Sequence, residues 1–415
     1  MIRVFLNAKE EKEIQQGFPW VFDNEIAFLK YQNADGKWQN GTLKEAPVVN
    51  GSLCEVCTKA GGFLGTGVIN RNSKITVRII SRGKAETIEA DRASFIDKKI
   101  ANCVNIRKLN YKENDSYRLI FGEADYIPGL ICEKYVEEKG DIYLVIQFLS
   151  MSCDIFRDEI LSSLKKHVKP DFIYERSDSN RIKEGLEEKN GWIGKAGKEQ
   201  IIILENDVRL CVDIANGQKT GYFLDQKFNR KEAAKYCHGK KVLDTFTHTG
   251  AFGLNACMAG AKAVTSVDIS EEAVSMVNNN IRLNGKEKVM KAICADVFDL
   301  LKQYEEQGEK FDVIILDPPA FTKSAKMIEK AYGGYKEINL RAMRLLNDGG
   351  ILVTCSCSHF FDSNTFYDML MHAAKDSHKS VQILEKRGAG PDHPVLAGYP
   401  KSEYLKCAIT RVIHN

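Results

Sequence analysis

The chain reads as α/β: a parallel-sheet domain in its C-terminal half, preceded by a small β-rich domain and a mixed α+β domain. Three observations predict this. From about residue 201 onward, apolar strand-like runs alternate with helix-period segments, the pattern of a parallel sheet with crossover helices. One run, Val313 to Leu316, holds four apolar residues without a break, as in a strand covered on both faces, and it ends Asp317-Pro-Pro. Finally, four successive strands of this region each reach an Asp, at the edge where open α/β sheets bind ligands.

Composition bounds the function. At 415 residues, with 44% hydrophobic and 28% charged residues, the chain has room for two or three globular domains. Its formal net charge of +3 does not by itself imply a nucleic-acid partner, yet it leaves room for a local basic face. No apolar run approaches a membrane span and Met-Ile-Arg-Val-Phe is not a signal-peptide start, so no membrane partner and a cytoplasmic location are expected. Twelve scattered cysteines then suggest reduced thiols. Cys54 and Cys57 form a Cys-x-x-Cys pair without a second pair or a His-x-x-x-His partner, so they are read as strand residues and no metal site is expected.

The elements follow in order. Residues 1–81 form the β-rich domain, with strands at Leu53–Val56, Gly65–Ile69 and Ile75–Ile80 between Gly, Asn and Ser turns. Phe18-Pro-Trp-Val-Phe22 is read as core packing, with a nucleic-acid stacking platform as the alternative. The polar stretch from Tyr31 to Asn50 reads as an insertion or long hairpin. Residues 82–200 are mixed. A helix over Asp91–Leu109 carries Arg107 and Lys108 in its last turn, where cations suit the helix dipole. Strands at Leu130–Glu133 and Asp141–Phe148 precede a helix through Leu164, and a strand covers Phe172–Tyr174. Glu175, Arg176, Asp178 and Arg181 after it read as a solvated turn.

In residues 201–415 the spacing predicts strands at Lys241–Leu243, Ala263–Val267, Lys291–Ile293, Val313–Leu316 and Ile351–Thr354. Helices are predicted at Phe252–Met258, Glu271–Leu283 and Tyr335–Leu346. Val242-Leu-Asp-Thr-Phe-Thr-His-Thr-Gly250 is a strand and tight turn before a helix, though not a Gly-x-Gly-x-x-Gly loop. Small residues at Thr247, Thr249 and Gly250 would let a ligand approach the backbone. Asp244 could accept hydrogen bonds from an ammonium group. Asp268 could hold ribose hydroxyls. Asp296 could read an adenine amino group, and Asp317 closes the fourth strand, its backbone held by two prolines. Each Asp alone is readily a turn or cap residue; the ordered set suits a nucleoside with a charged amino-acid tail, S-adenosylmethionine.

Here the chain resembles the class I methyltransferases. Lys219-Thr-Gly-Tyr-Phe-Leu-Asp-Gln226, Asp317-Pro-Pro-Ala-Phe321, Gly334-Tyr-Lys-Glu-Ile-Asn339, Ser356-Cys-Ser358 and Asp392-His-Pro394 are similar to the ribosomal large-subunit methyltransferase I type of RNA cytosine-5 methyltransferase. Phe18-Pro-Trp-Val-Phe22 and Phe121-Gly-Glu-Ala-Asp125 extend the resemblance over nearly the whole chain. It implies a PUA domain, a small α+β domain and a Rossmann-like catalytic domain. It also implies that Tyr222, Gln226, Phe246, Ile269 and Val297 join the Asp set and the 247–250 turn around the cofactor. Ribosomal RNA is the implied substrate, and a homodimer is the candidate assembly. Two departures stand out: Ala320 lies where the family often has Lys, and the N-terminal insertion is long.

The implied chemistry explains a cysteine. Carbon 5 of cytosine is a poor nucleophile until a thiolate adds to carbon 6, which is covalent catalysis and needs a thiol near the ligand edge of the sheet. Cys355 and Cys357 share strand parity, but Cys357 lies nearer the mouth and matches the family's Ser-Cys-Ser. It is the expected nucleophile, with Cys355 a small packed residue. Asp317 would hydrogen-bond nitrogen 3 of the base. Lys323, Lys326, Lys330 and Lys336 follow that carboxylate and are expected to meet RNA phosphates, a solvated face being the plainer alternative. Two other functions compete: methylation of a base nitrogen, which needs no thiol, and RNA binding without catalysis.

Overall fold

The structure is a computed structural model that describes residues 1–217, 220–322 and 324–414. The chain forms two compact units. The first comprises Met1–Glu199, Ile214–Gly221 and Pro391–Ser402, the second Gln200–Asp213, Tyr222–Gly390 and Glu403–Asn415.

The first unit begins with strands β1 (Ile2–Leu6), β2 (Trp20–Phe22), β3 (Ile26–Gln32), β4 (Trp38–Gly41), β5 (Leu53–Cys57), β6 (Phe63–Ile69) and β7 (Ile75–Ser81), and a short helix α1 (Glu11–Gln15). Among the described residues they pair in the order β2-β7-β6-β5-β1-β3-β4, with only β1 and β5 parallel. Period-two alternation sends Val4, Leu6, Leu29, Cys54 and Val56 to one core. The polar 31–50 stretch contains a hairpin: β3 turns back into β4, with Asn33 N–H bonded to the Lys37 carbonyl at 2.9 Å. The aromatics at 18–22 are engaged internally. Trp20 packs on Tyr399 (4.9 Å between centroids) and Phe18, and its indole donates to Glu123 at 2.8 Å.

A short helix α2 (Ala85–Ala90), not anticipated, precedes α3 (Arg92–Arg107), which is the helix expected over Asp91–Leu109, Asp91 capping it by accepting from Ser94 N–H. Strands β8 (Tyr117–Phe121), β9 (Leu130–Val136), β10 (Ile142–Phe148), β11 (Phe172–Ser177) and β12 (Lys189–Trp192) form a second sheet, backed by α4 (Met151–Asp154) and α5 (Arg157–Val168). The solvated-turn reading of residues 175–181 is overturned. Glu175 and Arg181 are buried; Glu175 pairs with Arg157, while Arg181 donates to Asp154 at 3.0 Å and to the Phe148 carbonyl at 2.6 Å. A charge that pairs across elements can be buried, and a local pattern does not report its partner.

The second unit opens with the hairpin β13 (Gln200–Glu205) and β14 (Val208–Asp213), which the alternating pattern did not anticipate, then α6 (Lys227–Ala234). The main elements are β15 (Lys241–Thr245), α7 (Ala251–Met258), β16 (Ala263–Asp268), α8 (Glu271–Leu283), β17 (Met290–Cys294), α9 (Val297–Glu306), β18 (Phe311–Leu316), α10 (Ile328–Leu345), β19 (Leu346–Ser356), α11 (Ser363–Asp376), β20 (Lys379–Arg387) and β21 (Lys406–His414). The sheet order is β17-β16-β15-β18-β19-β21-β20. Its first five strands are parallel, and β21 enters antiparallel to both neighbours. Strand order reverses between β15 and β18, so a crevice is expected beyond the carboxyl ends Thr245 and Leu316. Helix α10 starts seven residues before the sequence expectation; Ala331 and Tyr335 then lie in the core beside β18.

Candidate active site

At the end of β15 the backbone makes a tight, strained turn. Phe246 (φ 56°), His248 (φ 53°) and Gly250 (φ 81°) are left-handed, and the two non-glycine positions each cost about 1–3 kcal/mol. The turn is held from β16: Thr247 N–H donates to the Val267 carbonyl at 3.0 Å and His248 N–H to Asp268 Oδ2 at 2.9 Å. Asp268 Oδ1 accepts from Ser270 N–H at 3.1 Å, so the expected ribose ligand also organises the loop. Ile269, beside it, is 68% exposed, an apolar side chain standing free at the ligand edge.

Asp244 is fully buried, and its Oδ2 accepts from the Thr247 hydroxyl, the Ser266 hydroxyl (2.9 Å) and Gly253 N–H (3.0 Å). Among the described residues its Oδ1 has no hydrogen-bond partner. Burial raises the carboxyl to about 6, against the three donors. An unmatched, buried carboxylate oxygen is costly unless a donor arrives, and the ammonium of an amino-acid tail is such a donor. Gly253 has no room for a side chain: a Cβ there would lie 2.6 Å from Ser266 Oγ and 3.0 Å from Asp244 Oδ2.

The other expected cofactor residues divide. Thr247, Thr249 and Gly250 are buried in the turn, Asn280 donating to the Thr249 carbonyl at 2.9 Å. Asp296 lies two residues past β17 and caps α9, accepting from Phe298 N–H at 2.7 Å while staying exposed. The Val297 side chain belongs to the core. Tyr222 is buried and its hydroxyl donates to Glu205, which also holds Arg230. Gln226 instead serves Asp317: its Nε2 donates to Asp317 Oδ1 at 2.9 Å.

That amide is oriented by a relay not visible in the sequence. Arg387 Nε donates to Asn229 Oδ1 at 2.9 Å and Asn229 Nδ2 to Gln226 Oε1 at 2.6 Å, leaving the Gln226 nitrogen for Asp317. Asn229 stands three residues after Gln226, a spacing that could have flagged it; Arg387, on an antiparallel strand beyond the repeating pattern, left no such signal. Burial, with the Asp225 and Asp244 carboxylates adding, pushes Asp317 up to about 7.

Cys357 follows β19 and is half-buried, its Sγ 3.9 Å from the Pro318 carbonyl, one residue from Asp317. The structure therefore brings the two expected catalytic residues to the carboxyl ends of two neighbouring parallel strands, β18 and β19. Cys355 lies inside the sheet opposite Cys407, fully buried, its thiol pushed well up by the neighbouring thiol and by burial. Ser358 is pinned from both sides: its hydroxyl pairs with the Tyr335 hydroxyl at 2.9 Å and its carbonyl accepts from Lys406 Nζ at 2.8 Å. Lys406 is buried, lowered to about 8 by desolvation and raised in turn by the nearby Cys357. Sequence reasoning missed it. Phe321 packs against Tyr335 with the rings tilted by 35° (4.5 Å between centroids) and meets Phe246 edge-on (6.4 Å), an aromatic wall beside the strand ends. Of the four lysines, Lys326 and Lys330 are exposed, Lys336 pairs with Asp376 at 2.5 Å, and Lys323 lies outside the described residues.

Comparison with known proteins shows the family. A family model for S-adenosylmethionine-dependent methyltransferases matches residues 183–403, and one for a PUA-like domain matches residues 4–82. Ribosomal RNA large subunit methyltransferase I from Shewanella denitrificans is 37% identical over 99% of this chain and 99% of its own length. The Erwinia tasmaniensis protein of that name is 38% identical over 99% and 100%. The chain belongs to the ribosomal RNA large subunit methyltransferase I family. It is an S-adenosylmethionine-dependent methyltransferase with a PUA-like domain at its N-terminal end. A solved Streptococcus mutans chain described as a SAM-dependent methyltransferase shares the fold at TM-score 0.79, with 22% identity over 99% of this chain and 100% of its own. Among the described residues no helix is long and apolar enough to cross a membrane.

Proposed function

We propose that this chain methylates carbon 5 of a cytosine in large-subunit ribosomal RNA, with Cys357 as nucleophile and Asp317 as the group that meets nitrogen 3. The observation that carries the reading is the Cys357 thiol against the Pro318 carbonyl, one residue from a carboxyl raised to about 7. Nitrogen 3 of cytosine is an acceptor, so the partner it needs is a donor. An ordinary carboxylate is ionised at neutral pH; one held near 7 keeps a substantial protonated fraction and can donate.

In this mechanism the Cys357 thiolate adds to carbon 6 while Asp317 passes its proton towards nitrogen 3, offsetting the charge pushed into the ring. Bound S-adenosylmethionine supplies an electrophilic methyl group. Carbon 5, made enamine-like by the Cys357 adduct, would take the methyl group as the methyl's bond to the sulfonium sulfur breaks; the nitrogen-3 proton returns to Asp317, the carbon-5 proton passes to water, and the Cys357 sulfur leaves carbon 6 as thiolate, restoring the aromatic ring. Gln226, steadied by Asn229 and Arg387, keeps Asp317 in place. Asp244, Asp268 and the 246–250 turn hold the cofactor, and Lys326 and Lys330 meet phosphates. Residues 1–81 serve as the PUA-like RNA-binding part, 82–200 as the central part and 201–415 as the catalytic part. Ribosomal RNA puts this work in the cytoplasm. A homodimer is a further proposal, tested by molar mass in solution.

The test uses RNA carrying 5-fluorocytosine, which has no carbon-5 proton to lose, so enzyme and RNA should stay covalently joined after methyl transfer. Cys357→Ala should abolish adduct and turnover, while Cys355→Ala should keep the adduct. Full turnover by Cys357→Ala would transfer the proposal to nitrogen methylation.

A further inference from the structure

Gln226 and its chain neighbour Asp225 lie in a one-turn 3₁₀ helix, Leu224–Gln226, that leads into α6. Hydrogen bonds fasten this segment on two sides. Gly390 N–H donates to the Asp225 carbonyl at 2.9 Å, and Asn229 Nδ2, in the first turn of α6, donates to the Gly388 carbonyl at 3.0 Å. Towards the sheet, Gln226 Nε2 reaches Asp317 Oδ1 at 2.9 Å. Asp225 is thereby brought close to Asp317, and its charge is the largest of the neighbouring charges acting on that carboxyl.

The Asp225 side chain is fixed at one oxygen and unused at the other. Only 7% of the residue is exposed. Its Oδ2 accepts from the Tyr404 hydroxyl, and among the described residues its Oδ1 has no hydrogen-bond partner. Tyr404 belongs to the thiol side of the site. Its ring packs on His359, two residues past Cys357, with 5.5 Å between centroids, and its carbonyl accepts from Lys406 Nζ at 2.8 Å. The same ammonium holds the Ser358 carbonyl. Asp225 is thus tied to Asp317 through Gln226 and to the Cys357 turn through Tyr404. Arg230 feels this carboxylate, but it is engaged by Glu205 at 2.7 and 3.0 Å and by the Phe223 carbonyl at 2.8 Å. A buried acceptor without a donor is costly, so the partner Asp225 lacks is a donor from outside the chain.

We propose that Asp225 selects cytosine: its Oδ1 accepts a hydrogen from the exocyclic amino group, nitrogen 4, while Asp317 meets nitrogen 3. This inference rests on the methylation reading above and names the base-reading half of the same site. Asp317 commits Oδ1 to the Gln226 amide, so Oδ2 is the oxygen left for nitrogen 3 and a second acceptor is needed for nitrogen 4. Cytosine shows an acceptor at nitrogen 3 and a donor at nitrogen 4; uracil shows the reverse, an N–H at position 3 and a carbonyl at position 4. A protonated Asp317 beside an accepting Asp225 matches the first base and opposes the second at both positions. A site built on hydrogen bonds rejects the analogue that leaves its polar groups unpaired far better than shape alone does. A metal ion would ask for more ligands: among the described residues no group of three or more His, Cys, Asp or Glu is placed to hold one.

The experiment first maps the wild-type adduct on large-subunit ribosomal RNA transcribed in vitro with 5-fluorocytosine. Two ordinary transcripts are then compared, one with cytosine and one with uracil at that nucleotide. Methyl transfer from labelled S-adenosylmethionine by the full-length protein gives kcat/KM for each. Wild type should favour cytosine about ten-thousandfold. Asp225→Asn keeps the shape and the bond from Tyr404 but turns an NH2 group towards the base. The ratio should therefore narrow by about 100-fold, through loss on cytosine and gain on uracil. Affinity for S-adenosylmethionine, read by calorimetry, should not change. A merely structural role would lower both rates together, and that unchanged ratio would overturn the proposal. So would a loss of cofactor affinity as large as the loss on cytosine. A role exerted only through the Asp317 proton is separated by pH. About one unit below neutrality the solvent supplies that proton, and full recovery of the variant's cytosine rate relative to wild type would also overturn the proposal. The methylation reading is judged on wild type alone: absence of the adduct overturns both, whereas an adduct with an unchanged ratio overturns this inference only.

Discussion

Asp244→Asn tests the proposed contact between this carboxylate and the cofactor. The carboxylate spends Oδ2 on Thr247, Ser266 and Gly253 and leaves Oδ1 unmatched. An asparagine of the same shape keeps one oxygen for those three donors and turns an NH2 group to where Oδ1 was. Facing an ammonium, that exchanges a charge-assisted hydrogen bond for two opposed donors. A hydrogen bond to a charged group contributes about 1.5–3 kcal/mol, so affinity for S-adenosylmethionine should fall roughly 10- to 150-fold. Calorimetry reads this directly, and the demethylated product, which keeps the same amino-acid tail, should lose a similar factor. The pH dependence gives a second readout. Because burial raises Asp244 to about 6, protons compete with the ammonium below that pH, and wild-type affinity should drop about tenfold per unit from pH 6 downward. The asparagine variant should be flat there. Sign matters for stability too: a raised carboxyl means the ionised form is the disfavoured one in the fold, so above pH 6 the unliganded variant should be at least as stable as wild type. Wild-type affinity in Asp244→Asn, or the same acid loss in both proteins, would refute the assignment.

Lys406→Met should slow iodoacetamide alkylation of Cys357 about tenfold at neutral pH, by removing a cation that favours the thiolate, and Lys406→Arg should restore most of it; identical rates in all three would show that the cation does not act on the thiol. Arg107→Met would strand Asp125, whose carboxylate Arg107 holds at 3.1 and 2.5 Å while also donating to the Asp392 carbonyl at 3.0 Å. Breaking such a buried pair costs about 3–5 kcal/mol, visible as a lower urea midpoint; a loss under about 1 kcal/mol would mean the carboxylate finds another partner.

The parts of the site written in adjacent residues were legible. Asp244, Asp268 and Asp317 were found because each closes or nearly closes a parallel strand, and strand ends collect on one edge. Asp296 was found the same way, yet it stands as an exposed cap, because a residue two places past a strand is free to serve the following helix. Gln226 was identified as a cofactor contact by resemblance; its hydrogen bond to Asp317 depends on Asn229 and Arg387, the latter 161 positions away by number, and neither motif nor period carries such a pairing.

By itself, then, the sequence determined the parallel sheet, the acidic residues near the carboxyl ends of its strands and the order of Cys355 and Cys357 along the strand, since periodicity and chain neighbours are local quantities. The tertiary structure alone decided that Lys406 stands beside the thiol, that Arg181 and Glu175 are buried, and that Asp317 lies near 7. Those properties come from desolvation and from partners on distant strands. Both depend on which surfaces meet, and that is set only when the sheet closes.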